Sequence, residues 1–393
     1  MREFLEGSEV VAKAVKLCRA GVIAAYPITP QTHIPETLAK IVSDGQLKAE
    51  FINVESEHSA ASVVLGATAT GVRSYTATSS QGLLYMGEVI FNIAGLRLPV
   101  ILTCTNRAVS APINIWNDQS DSMALRDSGW IQFYCEGHQE LVDFHIQAYR
   151  IAEDKNIMLP VMVNMDGYIL THGFEVVDIP SQEDVDKFLP PLNLEYKLDV
   201  ESPLTLGFLA DPEYYTETRY AIQKTHEEVL KFIPQVVKEF EGVFGRRSGG
   251  LIECYRLEDA EKVIVACGSV CGTIKEMIEE ARKKKKKYGL LRIITYRPFP
   301  VQEIYKALKD KSQIAILEKA VSLGAYGPLY TEIKMLFSQK DNKKLKRERR
   351  ICGFIAGLGG RDITKDTISY IFKRLSQKQV DCEFVDLKPE YLE

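Results

Sequence analysis

Short apolar runs alternate with amphipathic stretches along the first 165 residues of the chain. The runs have the length and β-branched content of buried strands, and the stretches between them have helical spacing. Near-continuous apolar strands separated by helices predict an α/β fold built on a doubly wound parallel sheet that is covered on both faces. Ser8 is the expected N-cap of the first helix. The predicted strands are 22–26, 50–54, 74–78, 99–105 and 158–165, and the predicted helices are 8–21, 32–42, 59–70, 82–95 and 138–153.

A second alternating block follows after about residue 250 and predicts a smaller α/β domain. Glycines punctuate the chain just before it, which favours a boundary between a domain 1–245 and a domain 246–393. The predicted strands of the second block are 262–267, 290–295, 313–317 and 350–355, with helices through 287, from 301 and from 364.

Residues 170–250 do not show the alternation of predicted strands and helices. Prolines at 180, 190, 191 and 203 predict extended connections. The stretch 216–240 predicts one long helix that is kinked or broken at Pro234. We expect this part of the chain to be a linker followed by an arm that lies on a partner.

Composition and charge narrow the class of protein. A net charge of −4 over 393 residues excludes nucleic-acid binding driven by overall charge. The N-terminus carries acids where a signal peptide needs a basic start, and no apolar stretch reaches the roughly 20 residues that span a bilayer, so we expect a cytoplasmic protein. Eight scattered cysteines without a Cys-x-x-Cys pair predict neither an iron–sulfur cluster nor a disulfide framework.

Two polar motifs follow predicted strands, where parallel sheets carry their functional loops. Thr29 stands between Pro27 and Pro30, so its hydroxyl is held in a stiff loop; a purely structural turn is the alternative. Glu57 is the second acid of the sequence Glu55-Ser56-Glu57 at the start of a helix. A carboxylate aimed into a pocket there could relay protons, although the helix dipole alone also favours acids at this position.

Three further loops follow predicted strands. The small polar residues 78–82 could offer N–H groups to a ligand or simply cap a helix. Arg107 is suited to grip a carboxylate bidentately, with a surface ion pair as the alternative. The polar loop 117–121 has the composition of a flexible active-site wall, but this signal is unspecific.

Two other features are discounted. The glycine-rich segment 357–362 lies between a strand and a helix but lacks the G-x-G-x-x-G spacing of a dinucleotide loop. The basic runs 282–287 and 339–350 are interpreted as a solvated helix end and loop.

Together the motifs resemble the α subunit of the multi-subunit pyruvate:ferredoxin oxidoreductase family. The resemblance implies a transketolase-like fold, with a pyrimidine-binding-type domain for thiamine diphosphate followed by a domain similar to the transketolase C-terminal domain, which it implies to be mainly architectural. The matching segments, in family order, are AYPITPQT (25–32), VESEHSA (54–60), NRA (106–108), WNDQSD (116–121), YRPFP (296–300) and GLGGRD (357–362).

The resemblance also implies roles for three residues. Glu57 matches the family's activating glutamate, whose carboxyl group hydrogen-bonds N1′ of the cofactor's aminopyrimidine and favours the imino tautomer that removes the thiazolium C2 proton. Thr29 is implied to hydrogen-bond the substrate, and Arg107 to pair with the carboxylate that leaves as carbon dioxide. No metal ligand in this chain is implied.

Partners are implied as well. In the family, a β subunit supplies the Mg²⁺ and diphosphate site and one [4Fe-4S] cluster, a ferredoxin-like subunit carries two more clusters, and a gamma subunit belongs to the assembly. The small molecules are coenzyme A and a 2-oxoacid, and ferredoxin takes the electrons. In keeping with a site in a partner, this chain has no Gly-Asp-Gly…Asn-Asn element; Asp166-Gly167 is the nearest approach.

The implied reaction is reversible oxidative decarboxylation of pyruvate with coenzyme A. A branched-chain substrate such as 2-oxoisovalerate, or an aryl 2-oxoacid, is the alternative within the class. A non-catalytic scaffold that binds coenzyme A or a nucleotide, with Glu57 merely capping a helix, is the alternative from another class.

Overall fold

A computed structural model describes residues 1–340 and 349–392, so most of the basic run 339–350 lies outside the described residues. Within those two ranges, no helix combines the length and the hydrophobicity that crossing a bilayer requires. The N-terminal part contains β1 (Arg2–Glu6), α1 (Gly7–Leu17), β2 (Val22–Ala25), α2 (His33–Ser43), β3 (Glu50–Asn53), α3 (Glu57–Ala69), β4 (Ser74–Thr78), α4 (Ser80–Tyr85), α5 (Gly87–Gly95), β5 (Ile101–Asn106), α6 (Ser120–Ala124), β6 (Ile131–Tyr134), α7 (His138–Ala152), β7 (Val161–Asp166), β8 (Phe174–Asp178), α8 (Gln182–Phe188) and α9 (Tyr215–Phe244). The C-terminal part contains β9 (Ile252–Tyr255), β10 (Lys262–Ala266), α10 (Val270–Lys283), β11 (Tyr288–Ile293), β12 (Thr295–Arg297), α11 (Val301–Leu308), β13 (Gln313–Glu318), α12 (Pro328–Lys340), β14 (Arg350–Ile355), α13 (Lys365–Leu375) and β15 (Glu383–Phe384).

The first sheet has seven strands in the order β12-β6-β7-β5-β4-β2-β3. All neighbours pair in parallel except β12 and β6. Adjacent side chains of one strand point to opposite faces, and here they enter different apolar clusters: Ile23 packs with residues of α1 and α7, and Ala24 packs with residues of α3 and α5. Both faces are therefore covered by helices, as the sequence predicts.

The second sheet has six strands in the order β15-β14-β13-β10-β11-β9, parallel except for the edge strand β9. Alternate residues of β10 again divide between two apolar clusters, with Val263 in one and Ile264 in the other. The smaller α/β unit predicted for the second block is present.

The two sheets are joined through β12. This strand follows β11 of the second sheet directly in sequence but pairs with β6 at the edge of the first, with Thr295 opposite Phe133. The chain of the second block thus contributes a strand to the first sheet, an exchange that the alternating pattern does not predict.

Several short elements were not predicted. β1 and β8 form a separate antiparallel ribbon with Arg2 opposite Asp178, and their mostly exposed side chains lack the apolar pattern of a buried strand. The helix expected at 82–95 is two helices that meet at Met86. Ser8 is not the N-cap: it lies inside α1, where its hydroxyl donates to the carbonyl of Thr171 at 2.9 Å.

The long helix α9 packs on its own part of the chain. Its buried side chains include Val229, Ile233 and Phe240, which belong to the same apolar cluster as α7 and α8. The helix continues through Pro234, whose ring lies on the exposed side. The apolar stripe of this helix is therefore buried within this chain, and the prediction that this part of the chain lies on a partner stays a prediction for its exposed side.

Candidate active site

Four neighbouring strands of the first sheet end in the loops that the sequence singles out. In the order β5-β4-β2-β3, these strands lead to Arg107, to the segment 79–82, to Thr29 and to Glu57. Because the four strands run parallel, their carboxyl ends meet at one edge of the sheet. The fold therefore brings all the predicted site residues to this edge.

Glu57 is a buried carboxylate at the start of α3, with 8% of the residue exposed. It makes no hydrogen bond or ion pair with any residue that the structure describes. Its side chain lies against Gly82: a Cβ on that glycine would sit 2.7 Å from Glu57 Oε1 and 2.5 Å from Thr78 Oγ1. Only a glycine at this position leaves room for the carboxylate.

The neighbouring acid Glu55 behaves differently. It is exposed, and its carboxylate accepts a hydrogen bond from the hydroxyl of Ser59, which together with a backbone hydrogen bond lowers its pKa. The N-cap of α3 is Ser56, whose hydroxyl accepts from the backbone N–H of Ser59 at 3.2 Å. The side chain of Ser56 thus caps the helix, so Glu57 is not needed for capping.

Arg107 and Thr29 lie in contact. The guanidinium donates from Nη1 to the carbonyl of Thr29 at 2.8 Å and from Nε to the carbonyl of Asn114 at 3.0 Å. Arg107 is 6% exposed, and burial lowers its pKa. No carboxylate among the described residues pairs with it, and Nη2 has no acceptor there. The surface ion pair considered as an alternative is therefore absent from the described chain, and the guanidinium retains a donor for a ligand.

Asp121 fixes the position of two of these loops. Its Oδ2 accepts from the backbone N–H groups of Ser80 and Arg107, both at 3.0 Å, and its Oδ1 accepts from Asn106 Nδ2 at 2.9 Å. Burial raises the pKa of Asp121 to about 6, against these hydrogen bonds, which lower it. The sequence identified only an unspecific polar loop at 117–121, and no local signal marks Asp121 as the residue that holds the ends of β4 and β5 together.

A buried polar junction lies behind the site, between the carboxyl ends of the two sheets. Asp166 ends β7 and pairs with Lys319, which follows β13, at 2.9 Å. Lys319 Nζ also donates to Asn117 Oδ1 at 2.8 Å, and Ser269 donates its backbone N–H to Asp166 at 3.0 Å. Burial raises the pKa of Asp166, but Lys319 and the hydrogen bonds outweigh burial and lower it overall. Asp166, the nearest approach to a diphosphate motif in the sequence, is thus engaged by Lys319.

The fold resembles that of two solved structures. The split-gene transketolase in its inactive β4 tetramer matches with a TM-score of 0.54 at 12% identity, over 96% of this chain and 100% of that one. The 2-oxoglutarate:ferredoxin oxidoreductase from Magnetococcus marinus, solved with 2-oxoglutarate, coenzyme A and succinyl-CoA bound, matches with a TM-score of 0.70 at 19% identity, over 96% of this chain and 65% of that one. The chain therefore has the transketolase-like fold, and the predicted fold class is confirmed.

The amino-acid sequence identifies the family within that class. Residues 13–238 match the family described as "Pyruvate flavodoxin/ferredoxin oxidoreductase, thiamine diP-bdg", and residues 260–368 match "Pyruvate:ferredoxin oxidoreductase core domain II". The pyruvate synthase subunit PorA of Methanothermobacter thermautotrophicus is 50% identical over 386 residues, or 98% of each chain. That of Thermotoga maritima is 44% identical over 95% of this chain and 94% of its own.

A relative with another substrate name is also similar. The ketoisovalerate oxidoreductase subunit VorA of Pyrococcus horikoshii is 41% identical over 100% of this chain and 98% of its own. All these findings agree on one family: the chain belongs to the pyruvate:ferredoxin oxidoreductase family, and its first part is the thiamine-diphosphate-binding part of that family. The family membership expected from the motifs is confirmed.

Proposed function

We propose that this chain is the α subunit of a thiamine-diphosphate-dependent 2-oxoacid:ferredoxin oxidoreductase that acts on pyruvate. The reaction converts pyruvate, coenzyme A and two oxidised ferredoxins into acetyl-CoA, carbon dioxide, a proton and two reduced ferredoxins. One observation carries the proposal: a buried carboxylate, Glu57, and a buried guanidinium, Arg107, project from the same edge of the sheet, and among the described residues the carboxylate is unpaired and Nη2 of the guanidinium has no acceptor.

Glu57 fits the pyrimidine end of thiamine diphosphate. The cofactor, when bound, supplies the carbanion and electron-sink chemistry that side chains lack. A carboxyl group in hydrogen-bond reach of a ring nitrogen can hold a proton at that nitrogen, and Glu57 has both oxygens free for such a partner within the described chain. Gly82 keeps the approach to these oxygens open, since any larger side chain would occupy it.

Arg107 and Thr29 fit the carboxylate end of a 2-oxoacid. Nη1 and Nε of Arg107 are held by backbone carbonyls, which fixes the plane of the guanidinium and leaves Nη2 as a preorganised donor. The side chain of Thr29 is exposed beside it and makes no hydrogen bond of its own among the described residues, so its hydroxyl is free to bind substrate. These two residues would bind and orient the substrate, which contributes to rate as well as to affinity.

The remaining parts of the enzyme are proposed to lie in partner subunits. A β subunit would supply the Mg²⁺ and diphosphate site and a [4Fe-4S] cluster, a ferredoxin-like subunit further clusters, and a gamma subunit would complete the complex. The open carboxylate of Glu57 supports this division, because a buried acid without a partner costs stability unless a ligand from outside satisfies it. The division of this chain at 245/246 is part of the same proposal.

The decisive experiment is a substrate comparison on the native complex. The complex is purified anaerobically and assayed for coenzyme-A-dependent ferredoxin reduction with pyruvate, 2-oxoisovalerate, 2-oxoglutarate and indolepyruvate. The proposal expects the highest kcat/KM with pyruvate. A preference for 2-oxoisovalerate would transfer the assignment to a branched-chain enzyme, the candidate that the VorA relative supports. No ferredoxin reduction with any 2-oxoacid would overturn the proposed function.

A further inference from the structure

The glycine-rich segment 357–362 lacks the spacing of a dinucleotide-binding loop, but it lies close to the candidate active site. It leaves the carboxyl end of β14 in the second sheet and meets the loop 114–118, which comes from the first sheet. That loop also supplies the carbonyl group of Asn114 that holds Nε of Arg107. Asn114 therefore stands between the glycine-rich segment and the proposed carboxylate-binding arginine.

Hydrogen bonds tie the glycine-rich segment to this loop at two points. Asn114 donates from Nδ2 to the carbonyl of Gly359 at 3.1 Å, and the backbone N–H of Gly359 donates to Asp118 Oδ2 at 3.2 Å. Asn114 also accepts at Oδ1 from the backbone N–H of Trp116 at 2.8 Å. Both sides of the Asn114 amide are thus engaged, which fixes its orientation and the position of its backbone carbonyl.

The close approach requires glycine at two successive positions. Gly359 has a φ of 59°, and a Cβ there would lie 2.5 Å from Asn114 Nδ2. Gly360 has a φ of 83°, and a Cβ there would lie 2.3 Å from the Cβ of Trp116. A side chain at Gly359 would displace the amide of Asn114, and one at Gly360 would displace Trp116 at its Cβ. Both residues also adopt backbone angles that favour glycine.

Lys319 of the second sheet holds the other end of the same loop, at Asn117 and the adjoining Gln119. Lys319, at the end of β13, donates to Asn117 Oδ1 at 2.8 Å, and its backbone carbonyl accepts from the N–H of Gln119 at 2.8 Å. The strand ends of the second sheet therefore hold the loop on both sides of Asp118. The second sheet is thus connected to Arg107 through the loop 114–118.

We propose that the glycine-rich segment 357–362 positions Arg107 through Asn114, so that the second sheet sets the affinity of the site for the substrate carboxylate. The inference rests on the proposed role of Arg107 and goes beyond it, because it assigns a function in the site to a segment of the second sheet that reaches Arg107 only through Asn114. Gly359, Gly360 and Asn114 are positioning residues under this proposal.

The test uses the assembled complex with its partner subunits and the variant Gly359→Ala. A methyl group at this position must push Asn114 away, so the KM for pyruvate should rise about tenfold or more, while the KM for coenzyme A stays unchanged. The control is Gly324→Ala: Gly324 has a φ of 83°, and its Cβ would meet no atom within 4 Å. The control carries a similar backbone cost but disturbs no loop, so its KM for pyruvate should match the wild type.

Asn114→Ala is the second variant, since it removes the connection without adding bulk. It should raise the KM for pyruvate in the same direction, with a melting temperature close to that of the wild type. Combining Gly359→Ala with Arg107→Ala should give the KM of Arg107→Ala alone, because the glycine acts only through the arginine.

The outcomes separate this inference from the proposed function. If Arg107→Ala raises the KM for pyruvate and neither Gly359→Ala nor Asn114→Ala does, the positioning role is overturned and the role of Arg107 stands. If Arg107→Ala itself leaves the KM unchanged, the carboxylate assignment fails and the positioning role fails with it. Additive effects in the double variant would show that the segment acts by another route and would also overturn the inference.

Discussion

Nη1 of Arg107 donates to the carbonyl oxygen of Thr29 at 2.8 Å, which joins two proposed substrate-binding residues that lie 78 positions apart in sequence. The contact uses the backbone of Thr29 and leaves its hydroxyl without a partner among the described residues. With Nε held by Asn114, the guanidinium is fixed in its plane before any substrate arrives. A preorganised donor of this kind binds a carboxylate at a lower entropic cost than a mobile one.

Replacing Arg107 by lysine should therefore weaken substrate binding although the charge is kept. Lysine cannot hold two carbonyls and present a further donor in one plane. We expect the KM for pyruvate to rise about 10- to 100-fold in Arg107→Lys, with a smaller loss in kcat. Steady-state kinetics on the assembled complex measure both constants. Arg150→Lys, on the far helix α7, serves as a control that should leave them unchanged; an unaltered KM in Arg107→Lys would refute the carboxylate assignment.

Glu57→Gln should abolish most turnover while the complex retains thiamine diphosphate. The amide has nearly the shape of the carboxyl group but cannot relay a proton, and losses of about 100-fold or more are typical of a missing proton-transfer group. Bound cofactor is measured after gel filtration, and turnover by ferredoxin reduction.

Glu55→Gln is the matched control for that experiment, since it removes an acid of the same helix start that is exposed and bonded to Ser59. It should keep near-wild-type turnover. Equal losses in Glu55→Gln and Glu57→Gln would show that the loss comes from removing any acid at this helix start and would remove the special role of Glu57.

Much of the fold could be predicted because its strands are buried on both faces. The completely buried strands β4, β5 and β7 read as continuous apolar or small-residue runs, and each was predicted within a few residues. β1 and β8 were missed because their exposed side chains give no such pattern. β12 was missed because a strand of three residues that joins another sheet leaves no periodic signal.

The site could be predicted in part for a similar reason. Thr29, Glu57 and Arg107 follow strands that are easily recognised in the sequence. Because the carboxyl ends of parallel strands lie at one edge of a sheet, the sequence predicts that these residues lie close together. Asp121 accepts from the backbone N–H of Ser80, and the backbone carbonyl of Asn114 accepts from Arg107. Such contacts between loops leave no pattern in the sequence that would predict them. Their roles depend on loop conformation, which is determined by packing between the two sheets.

Removing Lys319 should strongly destabilise the protein. In Lys319→Ala the buried carboxylate of Asp166 would lose its only cationic partner among the described residues, and breaking a buried ion pair on one side costs about 3–5 kcal/mol. Denaturant unfolding of the full chain measures the free energy. Lys365→Ala is the control, because that lysine pairs with Glu276 and Glu280 at the surface and should contribute little. A loss in Lys319→Ala no larger than in Lys365→Ala would contradict the importance of the junction.

The stability of the protein should depend on pH through Glu318, the last residue of β13. Its carboxyl group accepts hydrogen bonds from the backbone N–H groups of Leu329 at 2.7 Å and Tyr330 at 2.9 Å. Burial raises its pKa from 4.5 to about 8 and outweighs these two donors, which lower it. Between those two values the folded protein binds more protons at this site than the unfolded chain does. The contribution of Glu318 to stability is thus fully present below pH 4.5 and is lost as the pH rises toward 8.

Comparison with Glu318→Gln isolates this effect from all other titrating groups. The amide cannot ionise, so the free energy of unfolding of the variant should lack the decline that Glu318 causes. We expect the wild-type value minus the variant value to fall steadily between pH 5 and pH 8, as measured by denaturant unfolding in buffers of constant ionic strength. Parallel curves for the two proteins would mean that Glu318 ionises in the folded protein as it does in the unfolded chain, and that the N–H groups at the start of α12 compensate fully for its burial.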